Sequence, residues 1–330
     1  MSAPLTAIPD ILTWLRARDT VLVTTHRNAD GDALGSALAV AGLLRAWGKR
    51  HRVVLHDNPP AARYDFLPGR EAIATVDACV GERFDAAVTV DVPSLERIGS
   101  PAELLPPPEH CLSIDHHPPE DRFAAHTLVD TTASSAGILV YELLLGTGID
   151  FTPETATCLY AAISYDTGRF AYDRTSPRDF EAAAHCVSAG ASASKVANAM
   201  FFRHRPAALR AMGEGLRRLE LHGEGRICLI ALPLDVFATA ADAELEELAA
   251  FSIMPGGVEV GLFVRAVQPD RVKVSLRSTG GVDVSVIARI YGGGGHRHAA
   301  GCRLAGSLAA AVASLLPEVL AHLDERETGP

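Results

Sequence analysis

The chain has 330 residues, 48% of them apolar, and a formal net charge of −10. That length supplies two ordinary domains with cores of their own. The negative charge excludes a protein that coats long nucleic acid by bulk attraction, though not one with a small anionic substrate, because metal ions supply positive charge locally.

Residues 1–19 lack the basic start and unbroken apolar core of a signal peptide, and residues 8–18 read as an amphipathic helix. Nowhere do ~18 uncharged apolar residues run together as a membrane span requires. Six cysteines, at 79, 111, 158, 186, 228 and 302, are scattered in apolar neighbourhoods without a C-x-x-C pair. They read as buried free thiols of a reducing cytoplasm, not as a disulfide framework or a zinc cluster.

The first half alternates strand and helix patterns. Residues 21–25 predict a strand, 33–47 a helix, 52–55 a strand, 71–80 a helix and 86–90 a strand. Residues 111–114 and 127–129 follow as strands, and 136–145 as a helix. Such alternation predicts a mostly parallel sheet flanked by helices. From residue 152 the pattern turns helical, with residues 156–164 running into Tyr165 and Asp166 and a helix opening at Ser176 and Pro177. Residues 192–219 read as one long connecting helix. Beyond it come a strand at 226–232, an acidic helix at 243–251, and strands at 258–267 and 271–277 around a Gln268-Pro269-Asp270 turn. A helix at 284–291, the glycines 292–295 and His296 complete the pattern. This gives a catalytic α/β domain over 1–190, a helical linker over 191–215, and a smaller α+β domain with a mixed sheet over 216–330. Residues 325–330 are expected to fray.

Thr24-Thr25-His26-Arg27-Asn28-Ala29-Asp30-Gly31-Asp32 stands between the first strand and the first helix. Open α/β sheets bind ligands on such loops. In an extended loop Asp30 and Asp32 point the same way, with Gly31 leaving room between them. Two such carboxylates with His26 suit a divalent cation; the alternative is an Asx-rich turn with Asp32 as helix N-cap. Three further clusters share the trait of an acid or histidine at an element's end: Asp91 after residues 87–90, Asp115-His116-His117 after 111–114, and Asp166 after 161–165. Singly, each reads equally as a cap, a turn or a solvated loop. Together, four strand- or helix-end clusters with three histidines suit two cations about 3.5–4 Å apart, with Asp91 between them. Such a pair makes a nucleophile from water and stabilises charge on phosphoryl oxygens. The glycine run, alone a linker signal, becomes an anion cradle if its free amides face a ligand beside Arg277 and His296.

His26-x-x-x-Asp30-Gly31-Asp32-Ala33 and Asp115-His116-His117 resemble the DHH phosphoesterase superfamily. Gly293-Gly294-Gly295-His296-x-x-Ala299-Ala300-Gly301 is similar to the signature of the DHH-associated C-terminal domain. Length and layout resemble the nanoRNase/pAp-phosphatase (NrnA-type) branch. The resemblance implies one metal at His26, Asp30 and Asp91 and a second at Asp32, Asp91, His116 and Asp166. Manganese is the implied ion, two per chain, with magnesium or cobalt as substitutes. It implies that His117 meets the scissile phosphate or supports the metal ligands from behind, that Asp115 orients the histidines, and that Arg277, Ser278, Gly293, Gly294, Gly295 and His296 hold substrate. The implied substrates are short RNA oligonucleotides, dinucleotides such as pApA, and pAp. The implied setting is a cytoplasmic homodimer without membrane contact, its interdomain cleft setting substrate length. Hydrolysis of c-di-AMP is the alternative within this chemistry. An inorganic pyrophosphatase and a nucleotide sensor without activity are the alternatives outside it. Ala29 replaces a frequent Pro, and His298 stands where many members have Asn, which bears on base preference.

Overall fold

The computed structural model describes residues 6–202, 204–237 and 245–327, which fold as two compact units dividing between residues 203 and 204. Among the described residues, no helix is long and apolar enough to cross a membrane.

In the first unit, α1 (Ile8–Arg16) leads to β1 (Thr20–Thr24), α2 (Gly31–Ala46), β2 (Arg50–Val53), β3 (Ala86–Val90) and a short α3 (Leu95–Ile98). β4 (Cys111–Asp115), β5 (His126–Val129), α4 (Ala136–Leu145), α5 (Pro153–Asp166), α6 (Pro177–Ser188) and α7 (Ala193–Ala197) follow. The five strands are all parallel, in the order β2-β1-β3-β4-β5. β3 and β4 are buried throughout and β1 nearly so, as strands covered on both faces must be. Strand order reverses between β1 and β3, so the loops leaving them part and open a crevice at the sheet's carboxyl edge. α2, small and apolar almost all round, is buried along most of its length. It packs on α5 closely enough that a Cβ on Gly35 would lie 2.5 Å from the Cys158 carbonyl oxygen. Gly35 faces Cys158 and Ala162 while Gly42 faces Thr155, so the two helices run antiparallel. The start of α2 and the end of α5, which carries Asp166, therefore share one edge.

Two predicted helices are corrected. Residues 71–80 form 3-10 turns, Arg70–Ala72 and Val76–Cys79, because Ala74 between them joins the extension of β2. The Ala74 N–H donates to the Val53 carbonyl at 2.8 Å and its carbonyl accepts from Leu55 at 3.2 Å, an extended pairing that no helix can share. Residues 192–219 form α7, a π-helical turn at Asn198–Phe202 and α8 (Pro206–Arg217) in place of one connector. Pro206 lacks the N–H a helix interior needs and holds Arg205 extended (φ −67°, ψ 145°), so a new helix starts there.

The second unit holds a six-stranded mixed sheet in the order β10-β11-β9-β8-β7-β6. Its strands are β6 (Leu219–His222), β7 (Ile227–Leu232), β8 (Val260–Gln268), β9 (Arg271–Ser278), β10 (Gly294–His296) and β11 (Ala299–Ala305). Among the described strands of this sheet, β7 and β8 alone pair in parallel. The turn at Gln268–Arg271 closes the expected hairpin, with a bulge between Ala266 and Gln268. Of the predicted acidic helix, Glu247–Phe251 is observed and residues 243–244 lie outside the described part. The helices Val284–Ile290 and Leu308–Glu327 flank the sheet; residues 328–330 lie outside the described part. All six cysteines are buried and free.

Candidate metal centre

The polar residues at the carboxyl edge of the first sheet come together. Asp30 is the N-cap of α2: its Oδ1 accepts from the Asp32 and Ala33 N–H groups at 3.0 and 3.1 Å. The cap is thus Asp30 and not Asp32, and Gly31 is the first helical residue instead of a spacer in an extended loop. Asp32, fully buried, sits in the first turn. Its carboxylate accepts from Ala136 and Gly137 at the start of α4 (2.6 and 2.8 Å) and from Ser36 Oγ (3.1 Å). Asp91 leaves the end of β3 at φ +54°, a left-handed conformation that non-glycine residues hold only under constraint.

Around Asp91 stand the histidines. His26 Nε2 lies 3.4 Å from Asp91 Oδ2, and its Nδ1 donates to the Arg27 carbonyl at 2.8 Å. His116 Nε2 lies 3.4 Å from Asp91 Oδ1, 3.2 Å from Asp166 Oδ2 and 3.9 Å from Asp32 Oδ2. His117 bonds Asp115 Oδ1 twice, through its backbone N–H (3.1 Å) and its Nδ1 (2.8 Å), which turns Nε2 away from that carboxylate. Among the sets of ligand atoms that gather within 4.8 Å are His26, Asp30 and Asp91, and Asp32, His116 and Asp166; Asp91, Asp115, His116 and His117 form a further one. Asp91 offers one oxygen to the histidine of each of the first two.

So many acids cannot all ionise in a buried site without cations. Burial, then the charge of Asp91, raises the pKa of Asp30 to about 6. Burial, with Asp91 and Asp166, pushes Asp32 well above the carboxylate range. At Asp91 burial acts the same way but is outweighed by hydrogen bonds and charge from His116 and His26, so it stays ionised far below the usual value. Burial opposes charge on His26, yet Asp91 and Asp30 lift its pKa to about 9. His116 is likewise raised, by Asp166 and Asp91 against burial. Carboxylate oxygens with imidazole nitrogens are the donor set of a divalent cation. Each ring that offers Nε2 has Nδ1 against a backbone carbonyl, as metal-ligating histidines do. Asp91 Oδ1 is buried without a well-formed hydrogen bond among the described residues. The residues fit such an ion.

In the second unit, a cavity of about 520 Å³ is lined in part by Arg277, Gly293 and Gly294. Gly294–His296 forms β10, paired antiparallel to β11 through Gly301, Ala300 and Ala299. Ser278 faces inward: its hydroxyl donates to the Val282 carbonyl at 2.8 Å and lies 2.9 Å from His298 Nδ1. Neither Ser278, Gly295 nor His296 belongs to the cavity wall. The sequence reading missed Lys273 and Ser275, which share a face of β9 with Arg277, and Glu246 and Arg303 opposite. Alternation along residues 273, 275 and 277 is the signal that could have found the first two. Glu246 accepts from Arg265 (2.8 Å), Lys273 (3.1 Å) and Ser275 (2.6 Å), and Arg265 is fully buried.

A profile of the DHH family, N-terminal domain, matches residues 20–163, and one of the DHHA1 domain matches residues 239–327. The bifunctional oligoribonuclease and PAP phosphatase NrnA of Thermus thermophilus is 32% identical over 289 residues, which span 87% of this chain and 84% of that protein. The protein of the same name from Bacillus subtilis is 26% identical over 89% of this chain and 92% of its own length. Among solved structures, an exopolyphosphatase-related protein from Bacteroides fragilis superposes with a TM-score of 0.87 at 25% identity, covering 95% of each chain.

Proposed function

The chain belongs to the DHH family of phosphoesterases, and from that premise we propose that it hydrolyses short oligoribonucleotides to mononucleotides and pAp to AMP with manganese. The observation that carries the reading is Asp91, whose two oxygens face the histidines of two adjoining ligand sets. His26, Asp30 and Asp91 would hold one cation, and Asp32, Asp91, His116 and Asp166 the other. Such ions supply positive charge to phosphoryl oxygens and make water a nucleophile near neutral pH.

The remaining roles fall to the chain's own groups. The amides of Ala136 and Gly137 fix Asp32 before any ligand arrives, so the site is preorganised. Asp115 accepts from His117 Nδ1 and orients the ring, so that with a second proton on Nε2 it would donate to a phosphate oxygen or the leaving group. In the second unit, Arg277, Gly293 and Gly294 would bind the nucleotide that is not cleaved, with Gly295, His296 and Ser278 supporting the cavity from outside its wall. A cytoplasmic homodimer completes the reading, and sedimentation tests the dimer. The experiment is a product-resolved assay with manganese on pAp, pApA, a five-mer RNA and c-di-AMP at matched concentrations. AMP from pAp and mononucleotides from the two RNAs are expected. Turnover of c-di-AMP alone would replace the reading with a cyclic-dinucleotide one.

A further inference from the structure

The first unit has a second polar cavity, of about 400 Å³, lined by Arg27, Asn28, His56, Asp57 and Arg97. Arg27 and Asn28 follow β1, His56 and Asp57 follow β2, and Arg97 lies in α3 after β3, so the cavity lies along the same carboxyl edge as the metal centre; Arg27 follows His26 directly. None of them is a proposed metal ligand.

The cavity is tightly built at its base. The Arg27 N–H donates to the Arg97 carbonyl at 2.7 Å. Gly99, at φ +75°, admits both neighbouring side chains only because it has no Cβ, which would stand 2.8 Å from Arg27 Cγ and from His56 Cγ. Asn28 is held at φ +58° with its N–H on the Asp57 carboxylate.

Its donors point to one ligand chemistry. His56 Nδ1 accepts from the Ser100 N–H at 3.1 Å, so the ring's proton is on Nε2 as a donor. The Arg97 side chain makes no hydrogen bond or ion pair with any described residue. Arg27 meets only Glu96, at 3.4 Å, a carboxylate whose side chain is 90% exposed and easily given up. Asp57 opposes an anion, but its Oδ2 is engaged by the Asn28 amide. Two forked guanidiniums, an imidazole N–H and a side-chain amide suit the three oxygens of a phosphate monoester.

We propose that this cavity binds the terminal phosphate monoester of an oligonucleotide substrate, so that the enzyme distinguishes a phosphorylated end from a hydroxyl end. The inference rests on the oligonucleotide reading above and adds a specificity site to it. It is tested with two dinucleotides that differ in that group alone, pApA and ApA, in the full-length protein with manganese. The wild type should favour pApA in kcat/KM by roughly tenfold to a hundredfold, the worth of one charge-assisted contact. Arg97→Ala should bring the ratio of the two substrates close to one, Arg27→Gln should lower it, and Arg97→Lys should restore part of it. A wild-type ratio near one overturns the site, as does a ratio that Arg97→Ala leaves intact. A wild type that cleaves neither dinucleotide takes down the oligonucleotide reading itself, and the site with it.

Discussion

The two units solve opposite electrostatic problems. At the edge of the parallel sheet, Asp30 and Asp32 crowd Asp91, and their pKa values rise because they are buried and stand among other carboxylates. In the mixed sheet the excess runs the other way. Arg265, Lys273 and Ser275 converge on Glu246, whose pKa falls to about 2 because those partners outweigh its burial. An acid pushed up marks a place that awaits cations, whereas an acid pulled down marks a pair that is complete within the fold. The first arrangement therefore points to chemistry and the second to structure beside the proposed anion cradle.

The largest effect should come from removing the residue both ligand sets share. Losing a partner that merely supports a ligand costs 10–100-fold, so Asp91→Asn should cost more, roughly 10³-fold in kcat at saturating manganese. Asn tolerates the left-handed conformation at this position, so the backbone at φ +54° should hold. Bound manganese per chain, measured by mass spectrometry, should fall as well. Near-wild-type kcat would show that the acidic edge is not a cation site and would erase the contrast between the units.

How much of this contrast could be read from the sequence follows from how local its causes are. Asp91 and Asp115–His117 were legible because each ends a short apolar strand, and parallel strands carry their ends to one edge. What anchors Asp32 was not. Its partners, the amides of Ala136 and Gly137, lie 104 and 105 residues away. Whether Asp30 or Asp32 capped α2 turned on a one-residue shift in the helix start, which the flanking pattern does not fix. In the second unit Arg277 was legible from the glycine signature nearby. Lys273, Ser275 and Glu246 were hidden because their cavity arises from strand pairing and a distant segment. The break at Pro206 was local and readable, and the apolar pattern on both sides obscured it.

An intermediate effect should come from the cradle. Arg277 lines the cavity of the second unit, and losing one charge-assisted phosphate contact costs about 1.5–3 kcal/mol. Arg277→Ala should therefore lower kcat/KM on pApA by roughly tenfold to over a hundredfold. It should do far less to a p-nitrophenyl phosphoester, which has no remote nucleotide to hold, and manganese content should not change. Equal losses on both substrates would place Arg277 at the reacting phosphate and merge the two regions into one catalytic site.

The smallest effect should fall on stability and on the complete pair alone. The Glu246 carboxylate holds Arg265, which is fully buried, so it contributes in its charged form. Its pKa is depressed from 4.5 in the unfolded chain to about 2 when folded. A depressed acid contributes fully above its unfolded pKa and progressively less as pH falls through the folded one. The stabilisation should accordingly be intact above pH 4.5 and fade between there and pH 2. The side chain is 33% exposed, and solvent screening reduces the contribution to about 1–2 kcal/mol. Glu246→Gln should lower the unfolding free energy by that amount at pH 7 and flatten its decline below pH 4.5, measured by urea titration across the pH range. Because the carboxylate also anchors Lys273 and Ser275 in the cavity wall, the variant should retain kcat on a p-nitrophenyl phosphoester while KM for pApA rises. An unchanged acid limb in Glu246→Gln would show that the pair contributes nothing to stability, and the contrast would then rest on the acidic edge alone.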